Sequence, residues 1–248
     1  MPTALFFAIL AVSAVATSFV SGILGMAGGM ILMGILIAMM PVPTAMMLHG
    51  ITQLASNGWR AFMWRENVDW RVFRGYVLGA LVATGAFALL QLVVSKGAAL
   101  VVMGCTPFIS LLLPEKLHLN VERRGHSSAC GAICTMLSLT AGVSGPILDV
   151  FYVRSKMTRH AVIATKATTQ SFAHLLKIAY FGVLVTSARG AVDPWLAAMM
   201  VVLAFTGTSL SGPVLKRMND TSFRLWSRWT ISVLGVVYLA SGVMLLLG

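Results

Sequence analysis

Apolar runs alternate along this chain with short polar connections. Residues 3–48, 75–95, 97–114, 127–148, 194–215 and 229–248 carry no formal charge. A helix needs about 20 mostly apolar residues to cross a bilayer, and most of these runs reach that length. Two further helices carry a polar stripe. In the first, His49, Thr52, Gln53, Ser56, Asn57 and Arg60 fall at i, i+3, i+4, i+7, i+8 and i+11. In the second, Lys166, Thr169, Gln170, His174 and Lys177 repeat that spacing 117 residues later, with Ala173 in the i+7 place. Such spacing puts each set on one helix face. Polar groups inside a bilayer turn toward a bundle interior or a water-filled cavity. A stripe that occurs twice suggests a duplicated pathway.

Composition settles the class. The chain is 58% hydrophobic and 10% charged, with mean hydropathy +0.89, which no soluble domain of this size resembles. The expectation is an all-α polytopic membrane protein, a single transmembrane domain over 1–248. It divides into a first repeat (1–114), a cytoplasmic connecting loop (115–126) and a second repeat (127–248). The opening residues lack the basic segment of a signal peptide, so they read as a retained first helix. The net charge of +11 raises nucleic acid as a partner. The basic residues gather instead in short loops, where the positive-inside rule accounts for them. The bilayer is the expected partner and nucleic acid is not.

Charge placement then orders the crossings. Arg60, Arg65, Arg71 and Arg74 form one cluster, and Lys116, Arg123 and Arg124 a second. Arg154, Lys156 and Arg159 form a third, and Lys216, Arg217, Arg224 and Arg228 a fourth. If all four are cytoplasmic, helices 75–94, 97–114, 194–215 and 229–247 alternate, and Arg189 lies outside. The segment 127–153 must then enter from the cytoplasm, break near 141–146 and return. Residues 3–40 must enter from outside, break near 25–29 and return at Pro41-Val-Pro43. Helix 44–64 crosses inward and 158–187 crosses outward. The halves are thus expected to be inverted repeats, each a broken helical hairpin plus three transmembrane helices, a recurring transporter plan. At the same 117-residue offset, Gly25 and Gly142, Gly28 and Gly145, Thr52 and Thr169, and Gln53 and Gln170 are identical.

The candidate chemistry follows from the breaks and stripes. A break leaves helix N-termini inside the membrane, and their free N–H groups attract anions. Gly25, Gly28, Gly29, Gly142, Ser144 and Gly145 lie at the breaks. His49, Thr52, Gln53, Asn57, Lys166, Thr169, Gln170, His174 and Lys177 line the stripes and offer donors and cations, with no carboxylate among them. This chemistry suits a small anionic substrate. The same glycines also suit close helix packing. Lys166 is near enough to a helix end to snorkel. Asp149, just past the second break, has three readings: a partner for a lysine, a proton or cation site, or a hairpin-interface residue. The tryptophans beside the basic clusters read as interfacial belt residues. The 16 methionines read as flexible filler, not as a copper path. Cys130 and Cys134 share a helix face without His or acidic neighbours at ligand spacing, so no metal and no cofactor is expected.

The glycine-rich hairpin Gly22-Ile-Leu-Gly-Met-Ala-Gly-Gly29, then Pro41, then a polar helix ending in Asn57-Gly-Trp-Arg60, resembles the TauE/SafE family. The turn Arg65-Glu-Asn-Val-Asp-Trp70 is similar to that family's basic turn before its third helix. The resemblance implies a bacterial inner-membrane permease, not an enzyme, for sulfite or an organosulfonate. The chain departs from the pattern at Ala27, and at Ser144 and Pro146 in the second copy. Two alternatives come from the residues themselves. Gly142-Val-Ser-Gly145 matches the Gly-x-Ser-Gly signature of rhomboid-like intramembrane proteases, with Ser144 as nucleophile and His174 as base. An anion channel is the other. The oligomeric state is open, with a homodimer as one expectation.

Overall fold

The computed structural model describes residues 3–114, 119–185, 192–217 and 220–248, and among them the chain is helical with no strand. The first half comprises α1 (Thr3–Leu24), α2 (Met26–Met39), α3 (Val42–Met63), α4 (Trp70–Leu90) and α5 (Lys96–Leu112). The second comprises α6 (His126–Thr140), α7 (Gly145–Tyr152), α8 (Arg159–Ala179), α9 (Pro194–Arg217) and α10 (Asp220–Leu247). Ala4–Leu24, Trp70–Leu90, Pro194–Val214 and Leu225–Leu247 are long and apolar enough to cross a membrane. The all-helical membrane class read from the sequence holds. Arg189 and Lys116 lie outside the described residues, as do the side chains of Lys216, Arg217 and Arg224.

Both expected breaks are present. Gly25 (φ 69°) separates α1 from α2, and Gly142 (φ 77°) lies in the connection from α6 to α7. This left-handed backbone strains any residue with a Cβ, so glycine at both positions lets the chain leave one helix and begin another inside the bundle. Helix starts follow local chemistry. Pro41 precedes α3, and Pro43 lies in its first turn, where a missing N–H costs nothing. α3 therefore begins at Val42, two residues before the expected start. The Asp69 carboxylate accepts from the N–H groups of Arg71 (2.9 Å) and Val72 (3.0 Å). That cap starts α4 at Trp70, not at 75. Ser95 and Thr158 cap α5 and α8 in the same way.

Packing pairs follow a rule. α1 packs on α9 and α6 on α4; α3 packs on both α8 and α9, and α8 on both α3 and α4; α5 packs on α10. Exchanging α1–α5 with α6–α10 in order maps these pairs onto one another. The direction of each pairing follows the same exchange. Close contacts of Gly50 with His174 and Lys177, and of Gly58 with Ser171, make α3 and α8 antiparallel. Gly97 against Gly242 and Gly104 against Gly235 do the same for α5 and α10. Gly207 beside Val15 and Ser211 beside Gly22 make α1 and α9 parallel, as Ser127 beside Gly75 and Ser128 beside Gly79 do for α6 and α4.

Three of the basic segments meet at one end of the bundle. The Asp69 N–H donates to Thr165 Oγ1 (2.9 Å), and Trp64 stacks on His160 at 4.8 Å between ring centroids. Asn120 Nδ2 donates to the Arg154 carbonyl (2.9 Å), and the Lys156 N–H donates to Glu122 (2.6 Å). At the other end Lys96 donates to the Ala38 carbonyl (3.3 Å), and the Tyr180 hydroxyl donates to the Leu92 carbonyl (2.8 Å).

The helix pairs touch through backbone. A Cβ at Gly131 would overlap the Tyr76 carbonyl, whereas one at Gly85 would meet open space. Gly131→Ala should therefore cost about 1–3 kcal/mol and lower the thermal unfolding midpoint in detergent, while Gly85→Ala should leave it unchanged or slightly raised.

Candidate functional site

The two breaks meet at the centre of the molecule. A Cβ at Gly145 would overlap the Met26 side chain, and one at Gly142 would press on Met33. The N-terminus of α2 thus lies against the N-terminus of α7. First-turn N–H groups of a helix lack intrahelical acceptors, so two sets of unpaired donors converge here.

The striped helices supply the side chains around this point. Lys177 is fully buried in α8. Its Nζ donates to the Gly142 carbonyl (2.9 Å) and contacts His49 Nδ1 (2.7 Å). His49 Nε2 contacts the Gly29 carbonyl (3.0 Å). A carbonyl can only accept, so Nε2 carries the proton and Nδ1 accepts from Lys177. One chain of hydrogen bonds therefore runs from α2 through α3 and α8 to the second break. The His174 ring stands edge-on to His49 at 5.6 Å, and its Nδ1 is buried without a hydrogen-bond partner. Gln53 lies against Gly29, and its Nε2 is also buried and unpaired.

The remaining expected residues take other roles. Thr52 and Thr169 donate within their own helices, to the carbonyls of Leu48 (2.8 Å) and Lys166 (2.9 Å). Asn57 is buried and Gln170 half-buried. Ser144 is buried at the N-cap of α7 without capping it. Gly28 is a packing position, because a Cβ there would overlap the Thr17 carbonyl. Gly29 has ordinary room. Lys166 does not join the central chain; it pairs with Asp149 on α7. Of the three readings of Asp149, the lysine partner is the one observed.

A cleft of about 1170 Å³ leads to the same place. Its walls include the exposed Arg154 and Arg228, the first break at Gly25 and Met26, Pro146 of the second break, and the Asp149–Lys166 pair. The cleft thus brings two arginines and residues of both breaks to one space. Among the described residues no group of His, Cys, Asp and Glu could hold a metal ion.

A second polar face was not singled out from the sequence. Ser13, Thr17, Ser18 and Ser21 are buried on α1, and Cys130, Cys134, Thr135 and Ser138 are buried on α6. They correspond at the 117-residue offset. Extending that offset from the stripes to the hairpins reveals them, because Cys130 and Cys134 stand where the first half has Ser13 and Thr17.

A family model described as sulfite exporter TauE/SafE matches residues 9–238. No curated protein and no solved structure matches the chain.

The central chain makes a prediction about stability. His49→Leu removes the hydrogen bond to the Gly29 carbonyl and takes one acceptor from Lys177, which should cost about 2–4 kcal/mol. Adding Lys177→Met removes the stranded amine, so the double variant should be less destabilised than the sum of the singles. Unfolding midpoints of the four proteins in a double-mutant cycle measure this coupling.

Proposed function

The chain belongs to the sulfite exporter TauE/SafE family, whose members are transporters and not enzymes, and on that premise we propose that it carries sulfite or an organosulfonate across the membrane by alternating access. The rhomboid-like reading of Ser144 and His174 falls with that membership. Among the described residues no hydrogen bond joins Ser144 to His174, whose Nδ1 is buried without a partner.

One observation carries the substrate class. Lys177 is fully buried, and its partners are an imidazole nitrogen and a carbonyl, neither of them negative. A buried ammonium without a counter-ion is costly. An oxyanion supplies the missing charge and can also accept from Gln53 Nε2 and from the first turns of α2 and α7. Of the expected residues, the proposed substrate-binding set is then Gly25, Gly29, His49, Gln53, Asn57, Gly142, Ser144, Gly145, Gln170, His174 and Lys177, while Gly28, Thr52, Lys166 and Thr169 are engaged by packing or by other protein partners.

Alternating access is supported by the exchange rule in the packing. Antiparallel α3–α8 and α5–α10 pairs are what an inverted repeat about an axis in the membrane plane produces. In such a protein, the cleft beside Gly25 in one state has a counterpart beside Gly142 in the other. Gathering of the basic segments at one end supports a cytoplasmic assignment for that end.

Purified protein in liposomes should show saturable flux of sulfite or a sulfonate, measured beside thiosulfate and sulfate. Lys177→Met should lower that flux at least about tenfold, and Gln53→Ala and Gln170→Ala should lower it less. Non-saturable flux would favour a channel. Absence of flux for all four anions, with Gln53 and Gln170 variants matching the parent, would overturn the assignment.

A further inference from the structure

Three pairs of residues at the 117-residue offset are in opposite states. The pairs are Ser21 and Ser138, Gly25 and Gly142, and Arg60 and Lys177. In the first half, Ser21 Oγ donates to the Gly25 carbonyl (2.7 Å). Arg60 Nε and Nη2 are buried there without a hydrogen bond. In the second half, Lys177 Nζ donates to the Gly142 carbonyl (2.9 Å), and Ser138 Oγ is buried without a hydrogen bond. The break carbonyl is held by the serine in one half and by the cation in the other. The group left unpaired is the reciprocal one each time. Buried unpaired donors are costly, so a matched pair of them in exchanged roles calls for an explanation.

We propose that the two break carbonyls form a reciprocal latch, and that Arg60 is the anion-binding cation of the half whose carbonyl is held by serine. The function of the latch rests on the transport reading above; the exchange itself needs no substrate. In the state seen here, Lys177 latches Gly142 and Arg60 is free, while the cleft reaches Gly25. In the opposite state Ser138 takes the Gly142 carbonyl and releases Lys177. Arg60 displaces Ser21 from the Gly25 carbonyl, and the cleft beside Gly25 closes. The bound anion passes from Arg60 to Lys177 as the carbonyls change hands. One cation is always latched to a break carbonyl and the other is not.

The charges around Arg60 fit this exchange. The antiparallel register of α3 and α8, with Gly58 beside Ser171, brings Arg60 to the level of Lys166. This mirrors His49 beside Lys177, because His49 and Lys166 also correspond at the offset. Two cations repel where a histidine and a lysine do not. Asp149 pairs with Lys166 and offsets its charge, and its counterpart position in the first half is the apolar Leu32.

The test reads cleft opening by the labelling rate of Val150→Cys, which lines the cleft. A polar thiol reagent is applied to the full-length protein in detergent, and the rate is taken above that of the native cysteines. Ser21→Ala removes the rival of Arg60 and should slow labelling about fivefold, the ratio one hydrogen bond supports. Ser138→Ala removes the rival of Lys177 and should speed labelling or leave it at its ceiling. Ser21→Thr keeps the hydroxyl and should restore the parent rate. Shifts of both alanine variants in one direction, or a Ser21→Ala change below twofold, would overturn the latch. In liposomes, Arg60→Gln should lower sulfite flux at least tenfold, and unchanged flux would overturn its role as the anion-binding cation. Slowed labelling in Ser21→Ala with no oxyanion flux in the parent would uphold the latch and remove the transport reading. Saturable flux with unmoved labelling would do the reverse.

Discussion

The hydrogen-bond chain from Gly29 through His49 and Lys177 to Gly142 is the constraint on which the rest of the molecule depends. Each link joins a different element: α2, α3, α8 and the turn before α7. In the dry interior of a bundle, a lysine amine and a break carbonyl have no water to turn to, so each needs a protein partner. Once His49 is fixed by Gly29, only its Nδ1 can receive Lys177. The chain therefore sets both the rotation of the striped helices and the depth of the two breaks. It also crosses from one half of the sequence to the other, so neither half can satisfy its buried groups alone.

Close backbone packing makes that centre possible. The helices around it touch through Gly28, Gly79, Gly104, Gly131, Gly207 and Gly242, where a Cβ would meet a neighbouring carbonyl or amide. Without a hydrophobic driving force between helices in lipid, such contacts and interhelical hydrogen bonds hold a bundle together. The Tyr238 hydroxyl, bonded to the Met30 carbonyl (2.9 Å), and the hydrogen bond shared by Ser56 and Thr208 (2.8 Å) are of the second kind. The first fastens α10 to α2 and the second α9 to α3, so the outer helices brace the inner ones.

Much of this plan is legible in the residues. The break at Gly25 could be read because helix interiors disfavour glycine-rich runs, and the break near Gly142 because Gly142, Gly145 and Pro146 crowd together. The stripes could be read because the helical period is rigid. The charge clusters ordered the segments because membrane insertion acts on local sequence. The α1 and α6 polar faces were less visible: serine, threonine and cysteine are common in membrane helices, and only their shared offset marks them. Asp149 had three readings because its partner, Lys166, is 17 residues away across a helix junction.

The sequence by itself determined the membrane class, the sites of the two breaks and the face each polar residue occupies, because these depend on hydropathy, backbone preference and a fixed period. It also displayed the 117-residue correspondence. Only the tertiary structure decided which polar residues meet. Lys177 bonds to His49 while Lys166 bonds to Asp149, and Ser21 holds its carbonyl while Ser138 does not. Equivalent positions in the two halves carry the same local signal. Their partners differ because each buried donor pairs with whichever acceptor packing brings within about 3 Å, and that depends on how the two halves are seated against each other.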